Sequence, residues 1–428
     1  MTYKEAKAAL DRYKDLGSVY GLENITRLME ALGRPEHAFD IIHVAGTNGK
    51  GSTVTTLSMI CEAAGIHTAS YTSPEVSTYL DRFRVGGVAA SEAAFVTAFE
   101  EVETACQALG APHPTIFEME LAIAVLIARQ AGCQALVLET GLGGRLDATN
   151  VIESPSLVVF TAIGLDHMQF LGDTVLAIAR EKAGIIKPGA PVVAYDNGDA
   201  INAVIEDAAR ITGVPCTIAG AEDCAVLQRD LDGQEITFGG QSYHYPLIGT
   251  HQVKNFALIM TAVQILRKIG WRISDSAVRS GLDAVRWPGR FEVVSKSPVI
   301  ILDGAHNPQA AAALVDTVRT WFSGRKVHFL VHIFKDKDAR GILKNLASVA
   351  SSLTLTTVDT ARSERPQALA DIARDFLPEN EISLEEDFDT AMQNALQHLA
   401  PDDILIICGS LSHLERARRD LSHYERMD

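Results

Sequence analysis

The sequence is poor in cysteine, in long apolar runs and in positive charge, and each absence excludes a class of protein. Its six cysteines lie far apart and form no C-x-x-C pair, which argues against a zinc knuckle or a disulfide framework and favours buried thiols in a reducing cytosol. No apolar run approaches the roughly 18–20 residues that a transmembrane helix needs. The net charge of −16 argues against general binding to nucleic acids or anionic membranes, which select basic surfaces. An anionic small substrate is compatible with this charge, because a few local cations decide its binding.

What is present is the composition of an ordinary globular protein. The 428 residues are 47% hydrophobic and 21% charged, enough to bury a large core, and this length predicts two or three domains. The first residues, MTYKEAKAALDRYKDLG, are polar with a helical pattern, so we expect no secretory signal and a cytoplasmic protein. Helices are predicted over 3–14 and 22–33, joined by the segment GSVYG.

The segment DIIHVAGTNGKGST, residues 40–53, has the pattern of a phosphate-binding loop. An apolar strand leads into three closely spaced glycines, and a helical pattern follows from Ser52 to Ala64. Glycines let backbone N–H groups approach phosphate oxygens, and the helix N-terminus adds partial positive charge. Lys50 supplies a full charge, and the hydroxyl of Ser52 or Thr53 could lie near a magnesium ion. The match to G-x-x-x-x-G-K-[ST] is imperfect, and glycine loops without a function are common.

Strands and helices alternate along the rest of the chain, which predicts parallel sheets covered on both faces. Residues 79–84 are interpreted as a loop, and residues 213–247 as antiparallel hairpins. Near residues 287–290, the sequence WPGR has the character of a hinge. The prediction is an α/β protein of two domains, at 1–286 and 291–428.

Polar residues follow several predicted strands, and in open parallel sheets ligands bind beyond the carboxyl ends of the strands. Glu139 ends the buried run ALVLE, so its carboxylate needs either a cation or backbone N–H donors. His167 could be structural, but together with Ser73 and the glycine loop it favours a magnesium site. Magnesium prefers oxygen ligands, which makes a histidine ligand unusual.

A second polar group comes from the C-terminal part of the chain. Asp303, His306 and Asn307 follow the strand Val299–Leu302, where they could serve a ligand or only form a turn. Arg290 at the hinge is placed to meet a phosphate in an interdomain cleft, although a hinge arginine is often just solvated.

These motifs carry a resemblance to a known family. HVAGTNGKGST, LETGLGGRLDATNVI, GLDHMQFLG, REKAGIIK, WPGRFE, DGAHNP and KDKD occur in order over nearly the full length. The chain resembles folylpolyglutamate synthase, of the Mur ligase superfamily, which includes bifunctional dihydrofolate synthases. The resemblance implies an N-terminal P-loop-type ATP-binding domain, a hinge at 287–290 and a smaller Rossmann-like glutamate-ligase domain. It also implies a monomer that binds ATP, magnesium, a folate-type molecule and L-glutamate.

The implied activity is the ATP-dependent addition of L-glutamate to the glutamate carboxylate of a folate, through an acyl phosphate. The alternative is a bifunctional enzyme that also, or mainly, joins L-glutamate to dihydropteroate. A cell-wall Mur ligase is disfavoured by GGRLDATN. A non-catalytic nucleotide switch and a mechanical P-loop ATPase are rivals of a different class, because neither needs a folate or glutamate.

The resemblance also implies roles for individual residues. The ATP site comprises Thr47, Asn48, Gly49, Lys50, Gly51, Ser52, Asn255, Arg290 and Asp303. The magnesium ligands are Ser73, Glu139 and His167. The folate-type substrate contacts Thr115, Phe117, Glu118, Gly144, Arg145, Leu146 and Asp147. The catalytic candidates are Lys50, Lys182, His306 and Asp303, and Lys182 matches a lysine that the family carries as a carbamate, which could help to hold a second magnesium ion.

The chain departs from the family pattern at three positions. Glu75 stands where the family has histidine, Asp81 replaces a glutamate, and His332 replaces a glycine before KDKD. The first two flank the substrate loop, so they affect the folate site rather than the ATP chemistry.

Overall fold

The computed structural model describes residues 1–13, 21–75 and 77–424 of the chain. Two compact units are formed, one by Met1–Cys224 with Lys254–Val285 and the other by Ala225–Val253 with Arg286–Asp428. The segment 225–253 thus groups with the second unit, whereas the sequence-based boundary assigned it to 1–286. The predicted GSVYG connection lies, up to residue 20, outside the described residues.

Strands and helices alternate in both units. The strands are β1 (Asp40–Ala45), β2 (Thr68–Tyr71), β3 (Phe83–Val85), β4 (Val88–Ala89), β5 (Ala135–Glu139), β6 (Leu157–Phe160), β7 (Val192–Tyr195), β8 (Cys216–Ala219), β9 (Ala225–Arg229), β10 (Gln234–Phe238), β11 (Gln241–Tyr245), β12 (Glu292–Lys296), β13 (Val299–Leu302), β14 (Val327–Val331), β15 (Ser352–Thr356), β16 (Ile382–Glu385) and β17 (Ile404–Cys408).

Helices form most of the long connections between strands and lie near both ends of the described residues. They are α1 (Tyr3–Asp11), α2 (Glu23–Ala31), α3 (Lys50–Ala63), α4 (Glu92–Leu109), α5 (Ile116–Gln130), α6 (Met168–Leu171), α7 (Val175–Ala183), α8 (Asp199–Thr212), α9 (Thr250–Lys268), α10 (Asp275–Asp283), α11 (Pro308–Trp321), α12 (Ala339–Ala347), α13 (Pro366–Ala373), α14 (Phe388–Gln397) and α15 (Leu414–Tyr424). Within the described ranges, none of these helices combines the length and the apolar character that crossing a bilayer would require.

The first unit is built on an eight-stranded sheet in the order β4-β3-β2-β5-β1-β6-β7-β8. The six strands β2, β5, β1, β6, β7 and β8 run parallel to one another. Strands β3 and β4 add an antiparallel edge next to β2. All five residues of β5 are buried, as expected for a strand covered on both faces. Leu136 and Leu138 pack with α5 in one core cluster, and α3 also packs against β5. The predicted α/β fold with a parallel sheet is therefore confirmed.

The interpretation of residues 79–84 as a loop was wrong in part. Tyr79–Arg82 form a short 3-10 helix, and Phe83 begins β3, which pairs antiparallel with β2. Phe83 lies opposite Tyr71 with ring centroids 5.7 Å apart, and both side chains are buried. The three-residue strand is too short to show an alternating pattern in the sequence, so its burial against Tyr71 was not predicted.

The second unit contains two sheets. The larger has the order β12-β13-β17-β14-β15-β16 and is parallel except for its antiparallel edge strand β12. A three-stranded antiparallel sheet, β11-β10-β9, confirms the predicted hairpins after residue 224, whereas β8 joins the parallel sheet of the first unit. Strands β13, β17 and β14 are neighbours, so the segments after their carboxyl ends share one edge.

Candidate active site

The glycine loop after β1 leads directly into α3. Gly49 has a φ of 87° and precedes Lys50, where the helix begins. The helix thus starts two residues before the predicted Ser52, because glycine tolerates the left-handed turn that ends the loop. Lys50 and Gly51 lie in the first turn, and the first N–H groups of a helix have no acceptor within it. The N-terminus of α3 therefore offers N–H donors and partial positive charge to an anion.

The loop is held against the segment that follows β6. The N–H groups of Thr47 and Asn48 donate to the carbonyl of Ala162 at 2.8 and 3.1 Å. A Cβ on Gly46 would lie 1.8 Å from Oγ1 of Thr161, so only glycine fits this approach. Asn255 of α9 borders the other side, where its Oδ1 would lie 3.0 Å from a Cβ on Gly49. The structure therefore places Asn255, a predicted ATP contact, beside the loop.

Glu139 and Lys50 form the charged centre of this site. Nζ of Lys50 lies 3.6 Å from Oε1 of Glu139 and 3.3 Å from the carbonyl oxygen of Thr47. Glu139 is 4% exposed at the end of β5, next to Val44 of β1. The sequence left two possible partners for this buried carboxylate, a cation or backbone N–H donors, and the structure places the cation Lys50 beside it.

The other predicted metal ligands follow strands of the same sheet as β5. Ser73 follows β2, Glu139 ends β5 and His167 follows β6, and β1 is the one strand between β5 and β6. His167 has a φ of 51° and its side chain is 43% exposed. The described residues contain no group of three or more His, Cys, Asp and Glu side chains that could hold a metal. A buried carboxylate, a hydroxyl and an imidazole still fit a divalent cation, since Mg²⁺ usually keeps several water ligands.

Lys182 lies near the end of α7 and is almost completely buried. Its Nζ donates to the carbonyl oxygen of Gly46 at 2.7 Å. Burial, with the charge of Lys50 as the second cause, lowers the pKa of Lys182 to about 7. A large fraction of this amine is therefore neutral near pH 7, which is the nucleophilic form.

The loop that follows β5 packs on the helix that carries Lys182. The N–H of Arg145 donates to the carbonyl of Glu181 at 2.8 Å, and the amide of Asn150 donates to the carbonyls of Arg145 and Gly184. Arg145 and Leu146 are exposed, and Asp147 is buried. Burial raises the pKa of the Asp147 carboxyl, although its oxygens accept hydrogen bonds from Leu142 and Thr149.

The predicted substrate residues at the start of α5 have clear structural tasks. Thr115 is the N-cap, and its hydroxyl and the Glu118 carboxylate form a capping box. The second oxygen of Glu118 accepts the N–H of Ile25 at 3.1 Å, which ties α5 to α2. Phe117 is half-buried, with its ring 2.4 Å from the position of a Cβ on Gly141. Phe117 therefore packs against Gly141 of the loop after β5, and the Glu118 carboxylate is occupied by backbone donors.

Some side chains of the DGAHNP segment, in the second unit, stabilise a turn, and others are candidates to bind a ligand. Both oxygens of Asp303 accept backbone N–H groups, from Phe291 and Ala305, each at 2.8 Å. Asn307 caps α11, so the turn interpretation holds for these two residues. Nδ1 of His306 lies 2.8 Å from the carbonyl of Gly304, and Arg290 also borders Gly304. Burial raises the pKa of Asp303, and Arg290 opposes that shift.

Sequence reasoning missed a buried network around Glu120 of α5. The hydroxyl groups of Tyr71 and Tyr79 donate to its two carboxylate oxygens at 3.1 and 2.6 Å, and Arg82 pairs with the same carboxylate. Arg82 also pairs with Glu75 at 2.7 Å. A carboxylate inside the apolar helical run MELAIAVLI was the signal that could have found this network.

Comparisons with known proteins identify the family of the chain. The family model "Mur ligase middle domain" matches residues 44–263, and "Mur ligase, glutamate ligase domain" matches residues 289–411. The chain is 34% identical to the dihydrofolate synthase/folylpolyglutamate synthase of Bacillus subtilis (strain 168), over 98% of this chain and 99% of that protein.

Two solved structures are similar over nearly the whole length. One is Escherichia coli FolC in complex with DHPP and ADP, with a TM-score of 0.85, 29% identity and coverage of 99% of this chain and 98% of that one. The other is a bifunctional folylpolyglutamate synthase/dihydrofolate synthase with Mn, AMPPNP and L-glutamate bound, with a TM-score of 0.83, 32% identity and coverage of 97% and 98%. The chain therefore belongs to the Mur ligase family, and within it to the folylpolyglutamate synthase/dihydrofolate synthase group.

Proposed function

We propose that the protein is an ATP-dependent ligase that adds L-glutamate to the glutamate carboxylate of a tetrahydrofolate, giving a folylpolyglutamate. The observation that carries this proposal is the Lys50–Glu139 pair, 3.6 Å apart at the N-terminus of α3, in a chain of this family. The pair would provide a cation for phosphate and a buried carboxylate for a metal ion at one end of the sheet.

The chemistry explains why ATP is needed. A carboxylate is anionic and a poor acyl donor, so an amine does not attack it. Transfer of the γ-phosphoryl group of ATP to a carboxylate oxygen gives an acyl phosphate and ADP. The deprotonated α-amine of L-glutamate then attacks the carbonyl carbon, the bond from that carbon to the phosphate oxygen breaks, and inorganic phosphate leaves as the amide forms. Positioning and charge stabilisation supply most of the rate enhancement in such transfers.

In this scheme the first unit binds the triphosphate. Backbone N–H groups at the start of α3, from Gly49 to Ser52, would contact phosphate oxygens, and Lys50 would neutralise the transferred phosphoryl group. Thr47, Asn48 and Asn255 would complete the ATP site in this unit. Arg290 and Asp303 of the second unit are proposed as further ATP contacts.

Ser73, Glu139 and His167 would hold magnesium, with water completing its ligands. When bound, the ion would neutralise charge on the phosphate oxygens. The chain's own contribution is Glu139, whose burial at 4% exposure makes its carboxylate a strong partner for a cation.

Lys182 is proposed to carry a carbamate that helps to hold a second magnesium ion. The lysine ammonium loses one proton to water, the neutral amine forms an N–C bond with carbon dioxide, and a second proton leaves to water, so that a cation becomes an anion. The pKa of about 7 supports this proposal, because a lysine at its ordinary pKa would be protonated.

The acceptor would lie beside the loop after β5 and the start of α5. Phe117 offers an aromatic face, Leu146 is an apolar side chain that is 39% exposed, and Gly144 and Arg145 shape the loop. Asp147 would contact the acceptor from within this loop, and Thr115 and Glu118 would act by fixing the start of α5.

The incoming glutamate is proposed to bind near His306 and Asp303. If Nδ1 of His306 donates to the carbonyl of Gly304, Nε2 is the basic nitrogen of the neutral ring and can take the ammonium proton. Asp303, held by two backbone donors, would orient rather than accept a proton.

A second activity, joining L-glutamate to dihydropteroate, is also proposed. The bifunctional names of the Bacillus subtilis relative and of the complex with L-glutamate favour it. The same ATP chemistry serves both acceptors. A monomer in a reducing cytoplasm, without nucleic acid or membrane partners, is consistent with the acidic charge and with the free cysteines among the described residues.

An ADP-release assay tests the function. Dihydropteroate and tetrahydrofolate, which is itself the monoglutamate, are each supplied with ATP and magnesium, with and without L-glutamate. We expect ADP release only when an acceptor is present, and amide product only with L-glutamate. ADP release without any acceptor would instead indicate a nucleotide switch or an ATPase.

A further inference from the structure

A buried chain of three side chains connects the strand before the glycine loop to the loop after β5. His43 of β1 is fully buried, and its Nε2 lies 2.8 Å from Oγ1 of Thr149. The hydroxyl of Thr149 in turn donates to Oδ1 of Asp147, which also accepts the N–H of Thr149 at 3.0 Å. His43 and Thr149 are 106 residues apart in the chain, so this contact joins two separate segments.

The directions of these hydrogen bonds follow from proton counting. A threonine hydroxyl has one proton, and it goes to the Asp147 carboxylate. Oγ1 must therefore accept from His43, which requires a proton on Nε2 and leaves Nδ1 bare. Nδ1 of His43 indeed has no hydrogen-bond partner in the described part of the chain. Burial lowers the pKa of His43 to about 3, so the ring is neutral and has this one tautomer.

A purely structural role for His43 would have to explain both hydrogen bonds, from His43 to Thr149 and from Thr149 to Asp147. Asp147 caps the short 3-10 helix Ala148–Val151 by accepting from Thr149, and this capping needs no histidine behind it. A histidine that only filled the core would leave both ring nitrogens buried at a cost, which an apolar residue would avoid. His43 instead donates its one N–H to Thr149, which in turn donates to Asp147. The other carboxylate oxygen of Asp147 accepts the N–H of Leu142 at 2.7 Å.

We propose that His43 is a positioning residue for the acceptor site, acting through Thr149 to fix the Asp147 carboxylate. The inference rests on the proposed function, because it takes Asp147 as a contact of the folate-type acceptor. His43 lies in β1, five residues before Asn48 in the glycine loop. His43 therefore links the segment proposed to bind phosphate to the loop proposed to bind the acceptor. The role concerns acceptor binding, since the chain of hydrogen bonds runs to Asp147 and not to Lys50.

The test compares His43→Leu with His43→Gln, whose amide can place a donor near the position of Nε2, and with Ile42→Val as a packing control in the same strand. The measurements are KM for tetrahydrofolate monoglutamate, KM for ATP, and hydrogen exchange of the Leu142 and Thr149 amides. We expect His43→Leu to raise the acceptor KM about tenfold, the value of one lost hydrogen bond. KM for ATP should stay the same, both amides should exchange faster, and His43→Gln should restore most of the loss.

An unchanged acceptor KM with unchanged exchange in His43→Leu would overturn the proposal, and so would an equal rise in both KM values. If His43→Leu does not fold, Thr149→Val tests the link from the other side, with Thr149→Ser as its restoring variant. Absence of acceptor-dependent ADP release in the wild type would refute the proposed function instead. The exchange of Leu142 and Thr149 would then still decide whether His43 fixes the loop.

Discussion

Nζ of Lys182 donates a 2.7 Å hydrogen bond to the carbonyl of Gly46, across 136 residues of sequence. The bond joins the end of α7 to the first glycine of the loop after β1. It places Lys182, whose pKa burial lowers to about 7, next to the glycine loop. A negative charge added to Lys182 would therefore lie beside the proposed sites for phosphate and metal.

The first prediction is that Lys182 takes up carbon dioxide. In protein equilibrated with ¹³C-bicarbonate at pH 8, the NMR spectrum should show a carbamate carbon that is lost in Lys182→Met. Lys187→Met is the control, because burial also lowers the pKa of Lys187 but it is only half-buried. Activity should fall as pH decreases through about 7, where Lys182 gains a proton and no longer adds carbon dioxide. A full carbamate signal in Lys182→Met would contradict the assignment.

The second prediction concerns Lys50, the cation at the start of α3. Lys50→Ala should abolish ADP formation, because Lys50 is the lysine proposed to neutralise the transferred phosphoryl group. It should also lower thermal stability, since the buried Glu139 loses its ion-pair partner. Lys296→Ala is the control, because it breaks only an exposed pair with Asp232, and such pairs contribute about 0–1 kcal/mol. Near wild-type turnover in Lys50→Ala would remove the phosphate role.

The third prediction separates a metal ligand from a mere ion-pair partner. Glu139→Gln keeps the shape of the side chain but removes its charge, so the Mg²⁺ concentration for half-maximal activity should rise by about tenfold or more. Titration of activity with MgCl₂ at saturating ATP measures it. An unchanged Mg²⁺ dependence would mean that Glu139 serves only Lys50.

These residues show how much of the site could be predicted from the sequence. Glu139 was found because a carboxylate at the end of ALVLE has to meet a charge or a donor, and the structure supplies Lys50. The glycine loop was found from its spacing, but the helix start at Lys50 was not, because it depends on the left-handed turn at Gly49.

Contacts between distant segments could not be predicted in the same way. The resemblance implies that Glu118 contacts the substrate, but the sequence did not indicate that its carboxylate accepts N–H groups from Thr115 and from Ile25, 93 residues away. The pairing of Phe83 with Tyr71 and the network around Glu120 likewise depend on which segments become neighbours. Local periodicity carries no information on such pairs, so the strand order and these polar contacts became visible only in the structure.

The fourth prediction tests the close approach of Gly144, in the loop after β5, to α7. A Cβ on Gly144 would lie 2.7 Å from the carbonyl oxygen and 2.8 Å from Cα of Lys182, and these backbone atoms cannot move aside easily. Gly144→Ala should therefore push the loop away from Lys182 and lower kcat/KM by about 10²-fold, as a displacement near 1 Å can. Gly324→Ala, with open space around its Cβ, should lower stability through its φ of 82° but leave kcat/KM unchanged. Equal kcat/KM for Gly144→Ala and wild type would show that the loop tolerates the shift.

The last prediction is that a buried histidine of the second unit destabilises the protein. His413 is 1% exposed, its ring centroid lies 5.3 Å from that of His332, and neither of its ring nitrogens has a partner among the residues that the structure describes. Burial holds the pKa of His413 well below 6.5 and lowers that of His332 to about 4. In the unfolded chain a histidine binds a proton below about pH 6.5, while the folded protein does not until a lower pH, so stability should fall as pH decreases from about 6.5 to about 4.

His413→Leu should raise the free energy of unfolding at pH 7 by about 1 kcal/mol, because two unpaired polar atoms leave the core. It should also flatten the acid slope by up to about 1.4 kcal/mol per pH unit, the contribution of one titrating group. Urea unfolding at pH 7, 6 and 5 measures both effects. The control is His328→Leu, which removes an imidazole bonded to Ser352 at 2.8 Å and should lose stability. A His413→Leu variant less stable than wild type at pH 7 would show that the ring is held by a partner, such as buried water, that stabilises the fold.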